Sequence, residues 1–349
     1  MLKNLILWPL SVLYGIGVSI RNRLFNLGIL KIREFDVPII CVGNITVGGT
    51  GKTPHTESLI NELKNDYRVA CLSRGYKRKT SGFVLATENS TANDIGDEPM
   101  QIKNKFPEIT VAVDADRVRG IKKLMQLPEK PEVIILDDGF QHRYVKADIN
   151  IMLIDYNRPI YEDHLLPLGR LRESIHAKDR ANYVIVTKCP ANISPIEKRI
   201  ILKHSNLKAY QQLLFTSMRY GGPRSLDGDS HHAVTPKTAI LCVTGIAQPA
   251  PYVEHLKQMT DQIDHITFPD HHNYSDTDIK RILQEYDKIS STDKCIFTTE
   301  KDAVRLTLCD IPEEIRQQIF YIPIEPEFLT PRDQLIKNIY DYVRQDTRK

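Results

Sequence analysis

The chain has no Cys-x-x-Cys pair among its six cysteines, so zinc-ribbon and thioredoxin chemistry have no support. Cys41, Cys71, Cys242 and Cys295 sit inside apolar runs, as small core residues of a reducing compartment do, and Cys189 and Cys309 are scattered away from them. Neither sign of charge dominates. Against 47 Lys and Arg stand 44 Asp and Glu, a formal net charge of +3, too little to point to nucleic acid. Internal repeats and low-complexity tracts are absent. The run Leu5 to Ile20 lacks charge, but it is shorter than the roughly 20 residues of a spanning helix, and Pro9 interrupts it. No small-residue cleavage site follows it, which argues against a secretory leader. With Trp8 and Tyr14 suited to the headgroup level and Arg21 and Arg23 behind them, the run reads as an interfacial helix. A helix packed on the domain core is the alternative.

The most informative stretch is Thr46-Val47-Gly48-Gly49-Thr50-Gly51-Lys52-Thr53-Pro54. An apolar run, Val37 to Val42, precedes it and a helix-compatible run, Thr56 to Leu63, follows. Strand, glycine-rich loop, Lys-Thr and helix together cradle a nucleoside triphosphate. Glycines let backbone N–H groups converge on phosphate oxygens, and the helix N-terminus adds partial positive charge. Lys52 would reach the β- and γ-phosphates, and Thr53 would ligate Mg²⁺. Thr46 departs from the usual pattern, which places a glycine six residues before the lysine.

A length of 349 residues suits two domains, and 41% hydrophobic with 26% charged residues is ordinary for a globular protein. Apolar runs at 69–73, 110–113, 133–136, 149–154 and 183–187 are too continuous for a half-exposed sheet. They predict a doubly wound parallel sheet covered on both faces. A polar, glycine-rich stretch from Arg219 to His232 follows, and strand patterns resume at 239–243 and 295–298. The expected organisation is an N-terminal helix over 1–30, a phosphate-loop α/β domain over 31–215 and a smaller α/β domain over 216–349. Val133 to Leu136 leads into Asp137-Asp138, acids at the end of a strand where phosphate-loop enzymes hold Mg²⁺. Either could be the direct ligand.

Several motifs resemble the tetraacyldisaccharide 4′-kinase family. They are the loop 46–54, Leu72-Ser73-Arg74-Gly75-Tyr76, Gly96-Asp97-Glu98-Pro99 and Asp137-Asp138-Gly139-Phe140-Gln141-His142. Leu166 to Glu173, Phe268-Pro269-Asp270-His271-His272 and Thr298-Thr299-Glu300-Lys301-Asp302-Ala303 complete the set. The motifs keep the family's order over nearly the whole chain. The resemblance implies ATP-dependent phosphorylation of the 4′-hydroxyl of a tetraacylated disaccharide 1-phosphate, a lipid A precursor, with ATP and Mg²⁺. It implies a peripheral or monotopic place on the cytoplasmic face of a bacterial inner membrane through residues 1–30, without nucleic acid or an obligate protein partner.

The resemblance also implies Asp97 as the catalytic acid residue that takes the hydroxyl proton, His271 as its partner from the second domain with His272 as competitor, and Lys52 and Asp138 beside them. Arg74, Gln141, His142, Arg172 and Glu173 are the expected acceptor contacts. Lys77 and Arg78 read equally as a solvated basic loop, and Asp114, in a charged group with Arg117 and Arg119, equally as a helix cap. The competing class is a phosphate-loop switch or metallochaperone-like NTPase. Its deviant loop has a Lys before the double glycine, where Val47 stands, and Thr187-Lys188-Cys189-Pro190 is not the guanine motif Asn-Lys-x-Asp. A non-catalytic membrane scaffold would have no use for Lys52, Asp137 and Asp138 together.

Overall fold

The structure, a computed structural model, describes residues 2–226, 228 and 232–346, with side chains described from residue 7 to 344. Ser230 and His231 of the predicted polar linker lie outside the described residues. In chain order the strands are β1 (Ile39–Gly43), β2 (Val69–Ser73), β3 (Val84–Leu85), β4 (Thr110–Val113), β5 (Val133–Asp137), β6 (Ile149–Asp155) and β7 (Tyr183–Thr187). They continue as β8 (Gln212–Tyr220), β9 (Arg224–Ser225), β10 (Ala239–Thr244), β11 (Ile263–Thr267), β12 (Lys294–Thr299), β13 (Ile319–Ile322) and β14 (Ile324–Phe328).

The first sheet has the order β14-β8-β7-β6-β1-β5-β2-β4-β3. Its centre is parallel, and only the edge pairs β14/β8 and β3/β4 are antiparallel. Alternation along β1 assigns its two faces. Ile40 and Val42 pack with Leu59, Ile60 and Leu63 of the helix Lys52–Leu63. Ile39 and Cys41 face Ile121 and Leu124 of the helix Arg117–Leu124. Burial on both faces is the physical reason these strands read as unbroken apolar runs. The second sheet, β11-β10-β12-β13-β9, is parallel except for β9. Ile279, Ile282 and Tyr286 of the helix Asp276–Lys288 cover one face, and Tyr252 and Leu256 the other.

The chain divides differently from the expected boundary at 215/216. Strand β8 stays in the first sheet through Tyr220. After β13 the chain returns, with β14 pairing antiparallel with β8 from Ile324↔Tyr220 to Phe328↔Thr216. The helix Asp333–Asp346 then buries Leu335, Ile339 and Val343 in the first core. These residues are spaced i, i+4, i+8, one helical face. The second α/β unit is therefore an insertion between β8 and β14. Its two crossings are tied to each other: Gly221 N–H donates to Pro323 O at 2.9 Å.

The helix Leu2–Asn26 lies against the first unit. Ser11 Oγ donates to Leu165 O (2.8 Å), Tyr14 OH to Arg172 O (2.9 Å) and Arg21 to Gln141 O (2.9 Å). Phe25 is buried among core residues. Trp8, Leu13, Ile16 and Ile20 point the other way and are exposed, Trp8 at 62% and Leu13 at 65%. Among the described residues no helix is long and apolar enough to cross a membrane.

Candidate active site

The register Val42↔Asp137 sets the end of β1 beside the end of β5, so the glycine loop and the paired acids meet at one sheet edge. Gly43 permits this approach, because a Cβ there would fall 2.7 Å from Cβ of Phe140. Within the loop, Gly48 (φ 105°) and Gly51 (φ 82°) hold conformations that L side chains resist. Gly51 opens the helix Lys52–Leu63, and no side chain caps that end, leaving its first N–H groups for an anion.

The loop is braced from outside. Asn44 Nδ2 donates to Thr50 Oγ1 at 2.8 Å, Thr187 Oγ1 donates to Thr50 O at 2.9 Å, and Val47 N–H donates to Arg170 O at 2.9 Å. Lys188 donates to Gly49 O and pairs with Asp155 at 2.8 Å. His55 lies within 2.7 Å of Gly51 O through Nδ1 and 3.1 Å of Thr216 Oγ1 through Nε2. The carbonyl can only accept, so Nδ1 carries the proton and Nε2 accepts from the threonine. Burial lowers the His55 imidazole pKa to about 4. Asn44, His55 and Lys188 are not marked by the sequence; His55 and Lys188 act by reaching the loop backbone and Asn44 by reaching the Thr50 hydroxyl, which leaves no local pattern.

The two acids differ. Asp137 is buried and accepts from Thr56 Oγ1 (3.0 Å) and Ser73 Oγ (3.4 Å). Burial first, then the neighbouring Asp138, push its carboxyl up to about 6. Asp138 stands at φ 49°, with Lys52 Nζ 3.6 Å and Arg172 Nη1 3.5 Å from its two oxygens. Its Oδ1 is buried without a hydrogen-bond partner. Thr53 is buried at the loop's end. Among the described residues no group of three or more His, Cys, Asp and Glu could hold a metal. Mg²⁺ keeps waters and takes one or two carboxylates plus substrate phosphates, and Asp138 Oδ1, without a hydrogen bond and with Lys52 at 3.6 Å, is a fitting ligand.

Among the residues expected at the acceptor, Gln141 donates to Asn44 O, and Arg172 Nη1 lies 3.5 Å from Gln141 Oε1. Arg74 is exposed. His142 is half-buried, its Nε2 is buried without a partner, and burial followed by Arg117 lowers its pKa to about 4. Arg117, buried with an unpartnered Nε, reaches Asp137 O at 3.4 Å. Glu173 differs from expectation. It is 1% exposed and bound by Arg180 (3.0 Å, twice) and Asn22 (3.0 Å), so it anchors the N-terminal helix and does not face a ligand. Of the two readings of Asp114 the helix cap is taken by Asp116, and Asp114 holds Arg119 through two bonds of 2.8 and 2.7 Å.

Between the two units, His271 Nδ1 of the second lies 3.0 Å from Asp97 Oδ2 of the first, while His272 pairs with Asp278. Arg305 also reaches Asp97, and Lys301 meets Glu98 at 2.7 Å. Burial alone would raise the Asp97 carboxyl pKa; the hydrogen bond from His271 and the Arg305 charge outweigh it and hold it below the usual range. Sequence reasoning missed Arg305. Its signal is the i, i+4 spacing from Lys301 on the helix Glu300–Leu306, which sets both cations on one face.

A glycine loop, paired acids and a His–Asp pair closing from an inserted unit define a phosphate-loop phosphotransferase. A family model described as tetraacyldisaccharide-1-P 4′-kinase matches residues 3–344. The tetraacyldisaccharide 4′-kinase of Bacteroides thetaiotaomicron is 49% identical, covering 98% of this chain and 94% of its own. That of Bacteroides fragilis is 51% identical over the same shares. The crystal structure of LpxK from Aquifex aeolicus in complex with ATP superposes with a TM-score of 0.77 at 29% identity, covering 98% of this chain and 99% of that one. The chain belongs to the tetraacyldisaccharide-1-P 4′-kinase family.

Proposed function

We propose that this enzyme transfers the γ-phosphate of ATP to the 4′-hydroxyl of a tetraacylated disaccharide 1-phosphate, the lipid A precursor. The observation that carries the reading is the pairing of Asp97, on the same unit that carries the phosphate loop with Lys52 and Asp138, with His271 from the inserted unit. The glycine loop from Thr46 to Thr53 receives the triphosphate through its backbone N–H groups. Lys52 neutralises charge that builds on the transferring phosphoryl group. Thr53, Asp138 and Asp137 would hold Mg²⁺, which when bound offsets charge on the β- and γ-oxygens.

The 4′-hydroxyl oxygen forms a bond to the γ-phosphorus, and the bond from that phosphorus to the β,γ-bridging oxygen breaks with its electron pair left on ADP. The hydroxyl proton passes to Asp97, which is ionised at neutral pH and oriented by His271. Arg172, Gln141, His142 and Arg74 lie where the acceptor enters, and cations there suit its 1-phosphate.

The exposed stripe Trp8, Leu13, Ile16 and Ile20 supports membrane association through the N-terminal helix. The same helix touches Gln141 and Arg172, so a lipid held at the bilayer surface reaches the acceptor side directly. The cytoplasmic face, where ATP is available, fits this placement. An assay with γ-labelled ATP tests the reading. Label should move to the glycolipid acceptor; label released only as inorganic phosphate would favour a regulatory NTPase.

A further inference from the structure

Three nitrogens converge on one atom. Asp97 Oδ2 accepts hydrogen bonds from His271 Nδ1 at 3.0 Å and from Arg305 Nε at 2.9 Å, and Arg305 Nη2 stands at ion-pair distance, 2.9 Å. Among the described residues no hydrogen bond reaches Oδ1. The other nitrogen of the guanidinium, Nη1, donates to Asp302 Oδ1 at 2.9 Å and to Gly245 O at 3.2 Å. Asp302 is fully buried and also accepts from Gly245 N–H (2.9 Å), Thr299 Oγ1 (2.6 Å) and Tyr274 OH (3.1 Å). Only glycine fits at 245, since a Cβ there would lie 2.8 Å from Asp302 Oδ1. The Arg305 side chain is 3% exposed. It is a rigid bar between the interior of the inserted unit and a carboxylate on the other unit.

We propose that Arg305 is a positioning residue for phosphotransfer: it fills Oδ2 of Asp97, so that Oδ1 is the atom presented to the acceptor hydroxyl, and it makes that presentation depend on contact between the two units. The inference rests on Asp97 as the base. An ionised carboxylate only accepts, so His271 donates from Nδ1, and its Nε2 faces Glu98 at 4.0 Å. The guanidinium, hydrogen-bonded through Nε with Nη2 beside it, and one imidazole together hold Oδ2 in place; a lysine would bring charge without that planar geometry. The charged and titratable groups facing Asp97 are His271 and Arg305, with Glu98 and its partner Lys301, Tyr76 edge-on to His271, and Asp302 behind Arg305.

The test is a double-mutant cycle read at saturating Mg-ATP. Arg305→Gln should lower kcat about 10- to 100-fold and leave the KM for ATP within about twofold. In the Asp97→Asn background the same change should alter kcat by less than about twofold, because no base remains to be aimed. The acidic limb of kcat should move up by about 1–3 pH units, the usual effect of removing a close opposite charge. Arg305→Lys should restore the limb but not the full kcat. If the lone Asp302 charge unfolds Arg305→Gln, the pair Arg305→Gln/Asp302→Asn removes both charges and is read in the same cycle. An Arg305 effect of equal size in both Asp97 backgrounds, with an unmoved pH limb, overturns the proposal while leaving Asp97 as base. An Asp97→Asn enzyme with full kcat removes the base itself, and this inference with it.

Discussion

His271 Nδ1 and Asp97 Oδ2 stand 3.0 Å apart although 174 positions separate them in the chain. The contact bridges two sheets, so the proposed base is assembled only when both units are in place. Asp97→Asn should therefore lower kcat far more than it raises KM, since the amide keeps the shape but cannot take a proton. His271→Ala should act on the same step. The double variant should be far less impaired than the product of the single effects; purely multiplicative losses would separate the two residues.

Lys52→Ala should reduce kcat on the order of 10²-fold or more, as expected when one preorganised contact to developing charge is lost. Asp138→Ala should raise the Mg²⁺ concentration needed for half-maximal rate more than Asp137→Ala does. The oxygen without a hydrogen bond, Oδ1, belongs to Asp138, whereas Asp137 is held by Thr56 and Ser73. Rate measured against Mg²⁺ decides, and identical curves for both variants and the native enzyme would place the metal elsewhere.

The exposed apolar stripe of the N-terminal helix is tested by substitution. Deleting residues 1–25 would strip Asn22 from Glu173 and the N-terminal contacts from Gln141 and Arg172. Replacing Trp8, Leu13, Ile16 and Ile20 with Gln leaves those bonds alone. Each large apolar side chain is worth about 1.5–3 kcal/mol when fully buried, so partial insertion of four should make vesicle binding weaker by on the order of 10²-fold. Flotation with anionic phospholipid vesicles measures this. Far-UV circular dichroism should not change.

His55 predicts an acid-dependent loss of stability. Its imidazole titrates near 4 in the fold, against about 6.5 in an unfolded chain. Between those values the unfolded chain binds more protons, so the contribution is fully present above about pH 6.5 and is lost as pH falls towards 4. The two pKa values bound it at about 3 kcal/mol. Urea unfolding of His55→Gln should show a shallower decline over that window than the native chain. Parallel curves would mean that His55 is not held neutral.

The parallel strands were legible in the sequence because burial on both faces leaves unbroken apolar runs, as in Ile39 to Val42 and Val133 to Leu136. The glycine loop was legible because its conformation demands glycine. The return of the chain was not. Ile324-Glu325-Pro326-Glu327-Phe328 alternates with acids and contains proline, which only an edge strand tolerates, and its partner β8 lies about a hundred residues earlier. Glu173 looked like a site residue because a motif carries it, yet its carboxylate is spent on Arg180 and Asn22. Arg305 was hidden for the opposite reason. The spacing from Lys301 shows two cations on one helical face, but their partners, Asp97 and Glu98, lie on the other unit about two hundred positions away.

The bond from Gly221 to Pro323 has a mechanical consequence. The inserted unit is joined to the rest of the molecule by two neighbouring strands of chain stitched together at that point. Such a double strap can flex along one line, but twisting or sliding would shear the stitch. The stitch therefore helps to keep the register in which His271 and Arg305 meet the same carboxylate.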